Sequence, residues 1–370
     1  MLFRREFPML ERIEKKRYMK QFMRISPMPR CWSALLAAGL MFAASGTSSY
    51  AQTTVTTVPV GFIRVQVTPA QNAASPALTA VSVPFYGAAL YAGAAASLAS
   101  TQSINVTGAA WTPNQFVSPP TFCRIKSGAG TGAFFPVASN TATQLTLNTG
   151  GATLVSGTPT TPQQVQVLAG DKIEIVPATT LGGLFGATSV PFQTGAGPAT
   201  ADNILLFNGT GWNVFYHNGT AWQSPGAAGD QAGAVIPPDG AFFVVRRSTA
   251  PLSVYVAGTV PSTQEVLYFP VAASRFVGSR FPADTTLAGL GLHLNPNWRK
   301  GPSAAQADSL LVWTGATWQS FYHNGAQWRR AGSFQNFDAL PVPAGSGVFV
   351  ARKPGGTGDA LVSLQLPYTF

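Results

Sequence analysis

The sequence predicts an all-β protein, with an N-terminal β-rich domain followed by a tandem-duplicated β-sandwich-like or meander unit. Three observations lead there. Beyond residue 51, glutamate occurs only twice (Glu174 and Glu265) and lysine four times. Threonine, valine, glycine, proline and aromatic residues dominate instead, the composition of strands joined by tight turns. No long stretch places apolar residues at the 3.6-residue helical period. Finally, the 46-residue segment Asp202 to Arg247 recurs without a gap 106 residues later as Asp308 to Lys353, with 15 identities.

The chain opens with a leader. Its first thirty residues carry nine basic side chains against three acidic ones. An apolar run from Trp32 to Ala44 follows, then small and polar residues ending Ser49-Tyr50-Ala51. A basic stretch, a short apolar core and a small-x-small site form the pattern of a secretory signal peptide spanning 1–51, cleaved after Ala51. The apolar run falls short of the roughly 20 residues a membrane-crossing helix needs, so no transmembrane helix is expected. Cys31 precedes the apolar core, which argues against a lipoprotein. The mature chain is therefore expected in the periplasm, on the outer surface or in the extracellular space. Without the leader, the 23 basic and 13 acidic residues fall to 14 and 10, a net charge of +4. That remainder forms no basic stripe or cluster, so nucleic acid is not an expected partner. The mature part holds one cysteine, Cys123, which can form no internal disulfide and reads as a small buried apolar residue.

Residues 52–187 read as the N-terminal domain. A polar leader (QTTVTT, 52–57) precedes a first strand, Val58 to Val67. Ala-rich Tyr91 to Ser100 suits a helical turn or two. Gln102 to Val106 and Phe116 to Lys126 suit strands. Ser127 to Gly132 (SGAGTG) is a turn and not a phosphate loop, because a phosphate loop leads into a helix N-terminus. Here Phe134-Phe135-Pro136-Val137 follows, which suits a strand. Gln144 to Leu147 and Val165 to Val167 are short strands, Gly170-Asp171 is a turn, and Lys172 to Val176 alternates clearly. Thr180 to Gly186 (TLGGLFG) closes the region.

The duplicated units are assigned to 188–285 and 286–370. Phe215-Tyr216-His217-Asn218-Gly219 matches Phe321-Tyr322-His323-Asn324-Gly325, Trp212 and Trp222 match Trp318 and Trp328, and Arg246-Arg247 matches Arg352-Lys353. Asn-Gly between apolar runs signals a tight hairpin of type I′, whose two central residues both need positive φ. That turn pairs His217 with Thr220, Tyr216 with Ala221 and Phe215 with Trp222. Alternation then puts Leu205, Phe207, Trp212, Val214 and Tyr216 on one face, and Leu206, Phe215, His217 and Trp222 on the other. Both faces are apolar, as in a sheet covered on both sides or one with an aromatic outer face. The C-terminal run Leu361 to Phe370 alternates apolar residues up to a final aromatic, as outer-membrane barrels do. The frequent proline and glycine of the whole chain favour a last sheet strand instead, with Pro367 marking an edge.

Several constellations bear on chemistry. His217 and His323 stand just before the turn glycines, with no acid or second histidine within a few residues, so packing against the neighbouring aromatics is expected and no metal or cofactor is. Trp212, Tyr216, His217 and Trp222, with Trp318, Tyr322, His323 and Trp328, form the candidate ligand-binding set, since exposed aromatics on β-sandwich modules stack on sugar rings and buried ones pack cores. Asp202 and Asp308 suit a turn or capping role better than a glycosidase carboxylate pair, and the paired basic residues suit a solvated strand end. No G-x-S-x-G elbow, H-E-x-x-H motif or Walker loop with its lysine occurs, so no catalytic residue is assigned.

The order of Val83-Pro84-Phe85, SGAGTG with PVASNTATQLTL, GDKIEIVP and TLGGLFG, followed by two Asp-led aromatic units, resembles a paralogous family of uncharacterised exported proteins of Verrucomicrobia-type bacteria. The resemblance covers most of the mature chain and implies no activity, cofactor or catalytic residue. The expected function is that of an exported, non-catalytic structural or interaction protein of the cell envelope or exterior, with envelope glycans or other surface proteins as partners. A carbohydrate-binding protein using the repeated aromatics is the alternative, and a secreted hydrolase with a dispersed site the third reading.

Overall fold

The computed structural model describes residues 58–72, 74–356 and 358–369. The signal peptide expected over 1–51 and the polar leader at 52–57 lie outside the described residues. Apart from the short helix α1 (Leu181–Phe185) and a 3-10 turn at Leu292–Leu294, the regular elements described are strands. The chain is all-β. No helix among the described residues is long and apolar enough to cross a membrane.

The first strands are β1 (Val60–Val67) and β2 (Ala77–Ser82). Next come β3 (Tyr91–Ser100), β4 (Ser103–Val106), β5 (Thr121–Ile125), β6 (Phe134–Asn140) and β7 (Gln144–Leu147). A short parallel pair, β8 (Thr153–Val155) and β9 (Gln164–Gln166), precedes β10 (Lys172–Pro177). Strands β3 to β7 and β10 close into a six-stranded barrel in the order β10-β3-β4-β7-β6-β5. Ile104, Cys123, Ile125, Leu145, Leu147, Ile173 and Ile175 fill its core, and Leu154, Val165 and Val167 from β8, β9 and the residue after it join them.

Tyr91 to Ser100 is therefore a strand and not a helical turn. Its register against β4 shifts twice, at Ala95/Ser97 and Leu98/Ser100. Such bulges bend a strand sharply, and the small side chains of this segment leave room for the bend. Pairing with β4 and β10 overrides the helix preference of alanine. Phe116 likewise lies outside β5, and the residues around it form turns.

After the barrel, the chain forms β11 (Thr179–Thr180), α1, β12 (Asn203–Phe207), β13 (Trp212–His217), β14 (Trp222–Gln223), β15 (Val235–Ile236), β16 (Ala241–Arg246) and β17 (Leu252–Thr259). The pattern then runs again through β18 (Glu265–Phe269), β19 (Ser274–Gly278), β20 (Thr285–Thr286), the 3-10 turn, β21 (Ser309–Trp313), β22 (Trp318–His323), β23 (Trp328–Arg330), β24 (Pro341–Val342), β25 (Gly347–Ala351) and β26 (Ala360–Leu364). Sheet β14-β13-β12-β16-β2 has the same strand order as sheet β23-β22-β21-β25-β19. The two-stranded ribbons β1-β17, β11-β15 and β18-β26, β20-β24 correspond in the same way.

Strand pairing draws the units differently from the boundaries expected at 187 and 285. β1, β2, β11 and α1 belong with the first sheet, although all precede residue 188, and β18 and β19 belong with the second, although both precede 286. The barrel interrupts the first unit between β2 and β11. Each unit packs its five-stranded sheet against its ribbon: Val254 and Val256 of β17 join Ile204, Phe215, Trp222 and Phe242 in the first core. Leu267 of β18 and Val362 and Leu364 of β26 join Leu310, Phe321, Trp328 and Val350 in the second. The opposite faces of the two sheets meet each other through Phe207, Trp212, Phe243, Phe276, Trp313 and Phe349. Phe243 stacks on Phe276 at 4.8 Å between centroids.

Candidate functional site

The structure places the repeated aromatics in these cores and interfaces. Trp222 and Trp328 are 1% and 0% exposed, and His217, His323 and Tyr322 are buried too. Trp212 packs edge-on to Phe276 and tilted against Phe243 between the two sheets. Trp318 contacts the same two rings and is 36% exposed, the most open of the eight. Tyr216 is half-buried. The eight residues thus line no common groove: each unit's tryptophan pair is divided between the two faces of its sheet, as the alternation requires.

The hairpin register differs from the type I′ expectation. His217 pairs with Trp222 and Tyr216 with Gln223, so the loop holds four residues, Asn218 to Ala221. Of these only Gly219 has positive φ, at 108°. Asn218 Oδ1 accepts the N–H groups of Thr220 and Ala221, a side-chain turn that replaces the tighter backbone one. Gly219 N–H donates to His217 Nδ1. The slip is an even number of residues, so every side chain keeps its expected face.

The paired basic residues are not a solvated end. Arg246 pairs with buried Asp202, and Arg352 with buried Asp308 at 2.7 Å. Each aspartate also accepts two backbone N–H groups, from Gln193 and Arg247 in the first unit and from Arg299 and Lys353 in the second. The carboxylate thus cross-links the end of one strand to the loop before another. A mechanical role of this kind is what the repetition of both residues signals.

Three units of the fold meet at a second ionic cluster. Glu265 of β18, fully buried, accepts from Arg124 of β5 at 2.6 Å, from Tyr86 Oη at 2.6 Å and from Arg280. The Arg124 guanidinium lies 3.5 Å above the Tyr86 ring. Glu174 reaches Arg124 at 3.3 Å and Lys126 at 3.5 Å. Burial pushes the Tyr86 hydroxyl up. Burial alone would lower Arg280, but Tyr86, Glu265 and Asp239 around it hold it charged. The two glutamates beyond residue 51 are both in this cluster. Their rarity was the sequence signal, and their partners, far away in the chain, were not legible.

Beside this cluster opens a cleft of about 370 Å³. The barrel contributes Phe134, Phe135, Pro136 and Val165, and the second unit Val266, Tyr268, Pro270 and Leu361. Asp239, Arg275 and Gln163 supply polar groups on its wall. Arg275 donates to Asp239 Oδ2 at 2.6 Å and to the Tyr268 carbonyl at 2.7 Å. The Tyr268 hydroxyl donates to Asp359 at 2.5 Å, joined by Gln163 Nε2 and the Val271 N–H. Burial would raise the Asp359 carboxyl, but these donors and Arg352 hold it below its ordinary value. Both carboxylates are therefore engaged, and the histidines of the two turns lie elsewhere. A concave, mainly apolar site with a few fixed polar groups suits binding of a small molecule.

Comparison with protein-family models, with curated proteins and with solved structures finds no match to this chain.

Proposed function

We propose that the chain is an exported, non-catalytic binding or structural protein, in which two like β units and a barrel frame a small-molecule or side-chain pocket at their junction. The cleft of about 370 Å³ carries this reading. Its walls come from the barrel, the first unit and the second unit, so an occupant touches all three at once. Its charged groups are already paired, which leaves apolar contact as the main contribution to affinity. At ~25 cal/mol per Å² of apolar surface, a ligand burying about 200 Å² would gain roughly 5 kcal/mol before its loss of freedom is counted. Weak binding of compact apolar ligands, roughly millimolar, is the expectation.

A fragment screen by ligand-observed NMR on the mature chain tests it, with Leu361→Trp as the blocked variant. Fragments bind the native protein and lose binding in Leu361→Trp, whose indole fills the cleft. If the hits persist in a folded Leu361→Trp protein, the cleft is not the binding site and the reading fails.

A further inference from the structure

The two units repeat their hydrogen bonds almost one for one, which makes a local difference between them informative. In the first unit, His217 accepts from Gly219 N–H at Nδ1, so its Nε2 carries the proton, and Nε2 donates to the Ala187 carbonyl at 3.1 Å. Trp222 Nε1–H donates to the neighbouring Gly186 carbonyl at 2.8 Å. Two donors are thus aimed at two consecutive carbonyls. That placement rests on Gly186, which ends α1 at φ 95°, a conformation that favours glycine.

The second unit keeps the donors and lacks the carbonyls. His323 accepts from Gly325 N–H at Nδ1, so its proton again sits on Nε2. The angle between the His323 and Trp328 rings is 81°, against 82° for His217 and Trp222, and both pairs have centroids 5.6 Å apart. At the position of Gly186 stands Leu292, whose carbonyl is taken by Asn295 N–H. At the position of Ala187 stands His293, whose ring stacks on His323 at 4.7 Å. At the position of Phe192 stands Trp298, 6.1 Å from Trp328. As a result Trp298 Nε1, Trp328 Nε1 and His293 Nδ1 are all buried with no partner among the described residues. In the first unit the matching tryptophan is satisfied. Both tryptophans are at least 98% buried, and an unsatisfied buried donor costs about 1–3 kcal/mol. The two indole N–H groups call for an occupant with two acceptor positions.

We propose that the second unit binds a small monocarboxylate here, its two oxygens standing where the two backbone carbonyls serve the same donors in the first unit. The basic side chains nearby fit that charge. A pocket of about 350 Å³ beside Trp298 is lined by Arg299 and Lys300, where the first unit has Gln193 and Thr194. Lys300 raises the local potential and Asp338, whose Oδ1 accepts Trp328 N–H, lowers it. That balance favours a single negative charge over a dianion. Burial, helped by Lys300, keeps His293 below its ordinary value. A bound carboxylate would oppose that shift.

Indole ¹⁵N–¹H spectra of the mature chain at pH 7 test the site, with acetate and glucuronate added against sodium chloride of equal ionic strength. Trp298 and Trp328 resonances move saturably with a carboxylate while Trp222 stays still. Acetate alone marks a site for free small acids. Glucuronate binding as well marks one that accepts a carboxylate carried on a sugar. Trp298→Phe, the first unit's residue, weakens binding about tenfold or more, as loss of a hydrogen bond to a charged group does. The proposal is overturned if neither carboxylate moves the two resonances in the native protein, or if chloride and sulfate move them equally. The first outcome leaves the place to solvent, and the second to any small anion.

Discussion

Glu265→Gln is the most informative single change in the molecule. The native carboxylate sits between Arg124 and Arg280 and takes the Tyr86 hydroxyl as well. Glutamine keeps the shape and one acceptor oxygen but no charge. Arg124 retains Glu174 at 3.3 Å. Arg280 retains the Pro238 carbonyl and Tyr86 as hydrogen-bond partners and only the Asp239 carboxylate near it, so its charge is left buried without a directly paired counter-charge. Breaking a buried pair in this way costs about 3–5 kcal/mol, against a total stability of roughly 5–15 kcal/mol. At ~2–4 °C per kcal/mol for a chain of this size, melting falls by about 6–20 °C. Urea denaturation followed by tryptophan fluorescence gives the free energy. Trp111 packs in the barrel core and Trp222 and Trp328 in the two units, so single-tryptophan variants also report whether the barrel uncouples. In Tyr86→Phe the ring under Arg124 remains, and the hydroxyl's donation to Glu265 and its acceptance from Arg280 are both lost, for about 1–3 kcal/mol. A cost below about 1 kcal/mol for Glu265→Gln, with all three probes still melting together, would refute the view that this cluster holds the three parts in place.

Other consequences can be measured alongside. Asp308→Ala strands Arg352 and releases two backbone N–H groups, and should cost about 3–5 kcal/mol by urea denaturation, as Asp202→Ala should in the first unit. Stability should decline on acidification: burial, with His293 and Lys300, lowers His323 to about 4. The unfolded chain therefore takes up a proton between pH 6.5 and 4 that the folded chain refuses, removing on the order of 2 kcal/mol across that window. His323→Gln should flatten the same stretch of the pH profile. Burial pushes the Cys123 thiol up to about 12, so a thiol reagent at pH 8 should label it only after denaturation. Gly132→Ala should destabilise by more than about 1 kcal/mol, because φ is 92° there and an added Cβ would stand 2.6 Å from the Gln264 carbonyl oxygen.

The two-residue period was the most legible signal. It assigned Leu205, Phe207 and Trp212 to one face and Leu206, Phe215 and Trp222 to the other, and those sets fall in different cores. It could not say which face was covered by what, because burial of the outer face depends on a second sheet a hundred residues away. Short-range chemistry was misread where two local solutions compete: Asn218 closes its loop with its side chain, so the loop is two residues longer than an Asn-Gly dipeptide suggests. Arg246 and Arg352 look solvated in sequence because charge is usually exposed. Only their meeting with Asp202 and Asp308, 44 residues earlier in each unit, shows otherwise. The cleft was not legible at all, since its walls come from segments that no periodicity connects.

The unit boundaries misled for a related reason, and the structure explains it. In the second unit, β19 ends at Gly278 and β20 begins at Thr285, a link of six residues. In the first, β2 ends at Ser82 and β11 begins at Thr179, so the whole barrel occupies the corresponding link. The closing residues are nearly the same: Pro177-Ala178-Thr179-Thr180 against Pro282-Ala283-Asp284-Thr285-Thr286. Entry and exit are adjacent, for a Cβ on Gly87 would stand 2.4 Å from Pro177. An insertion whose ends meet leaves the host sheet undisturbed, which is why a strand as early as β2 can still complete the first sheet. The same geometry accounts for the position of the ionic cluster. Tyr86 lies in the first unit's link and Arg280 in the second's, so two equivalent loops converge on Glu265. Arg124 then joins them from the barrel, and the added domain is held at the junction by charge as well as by the chain.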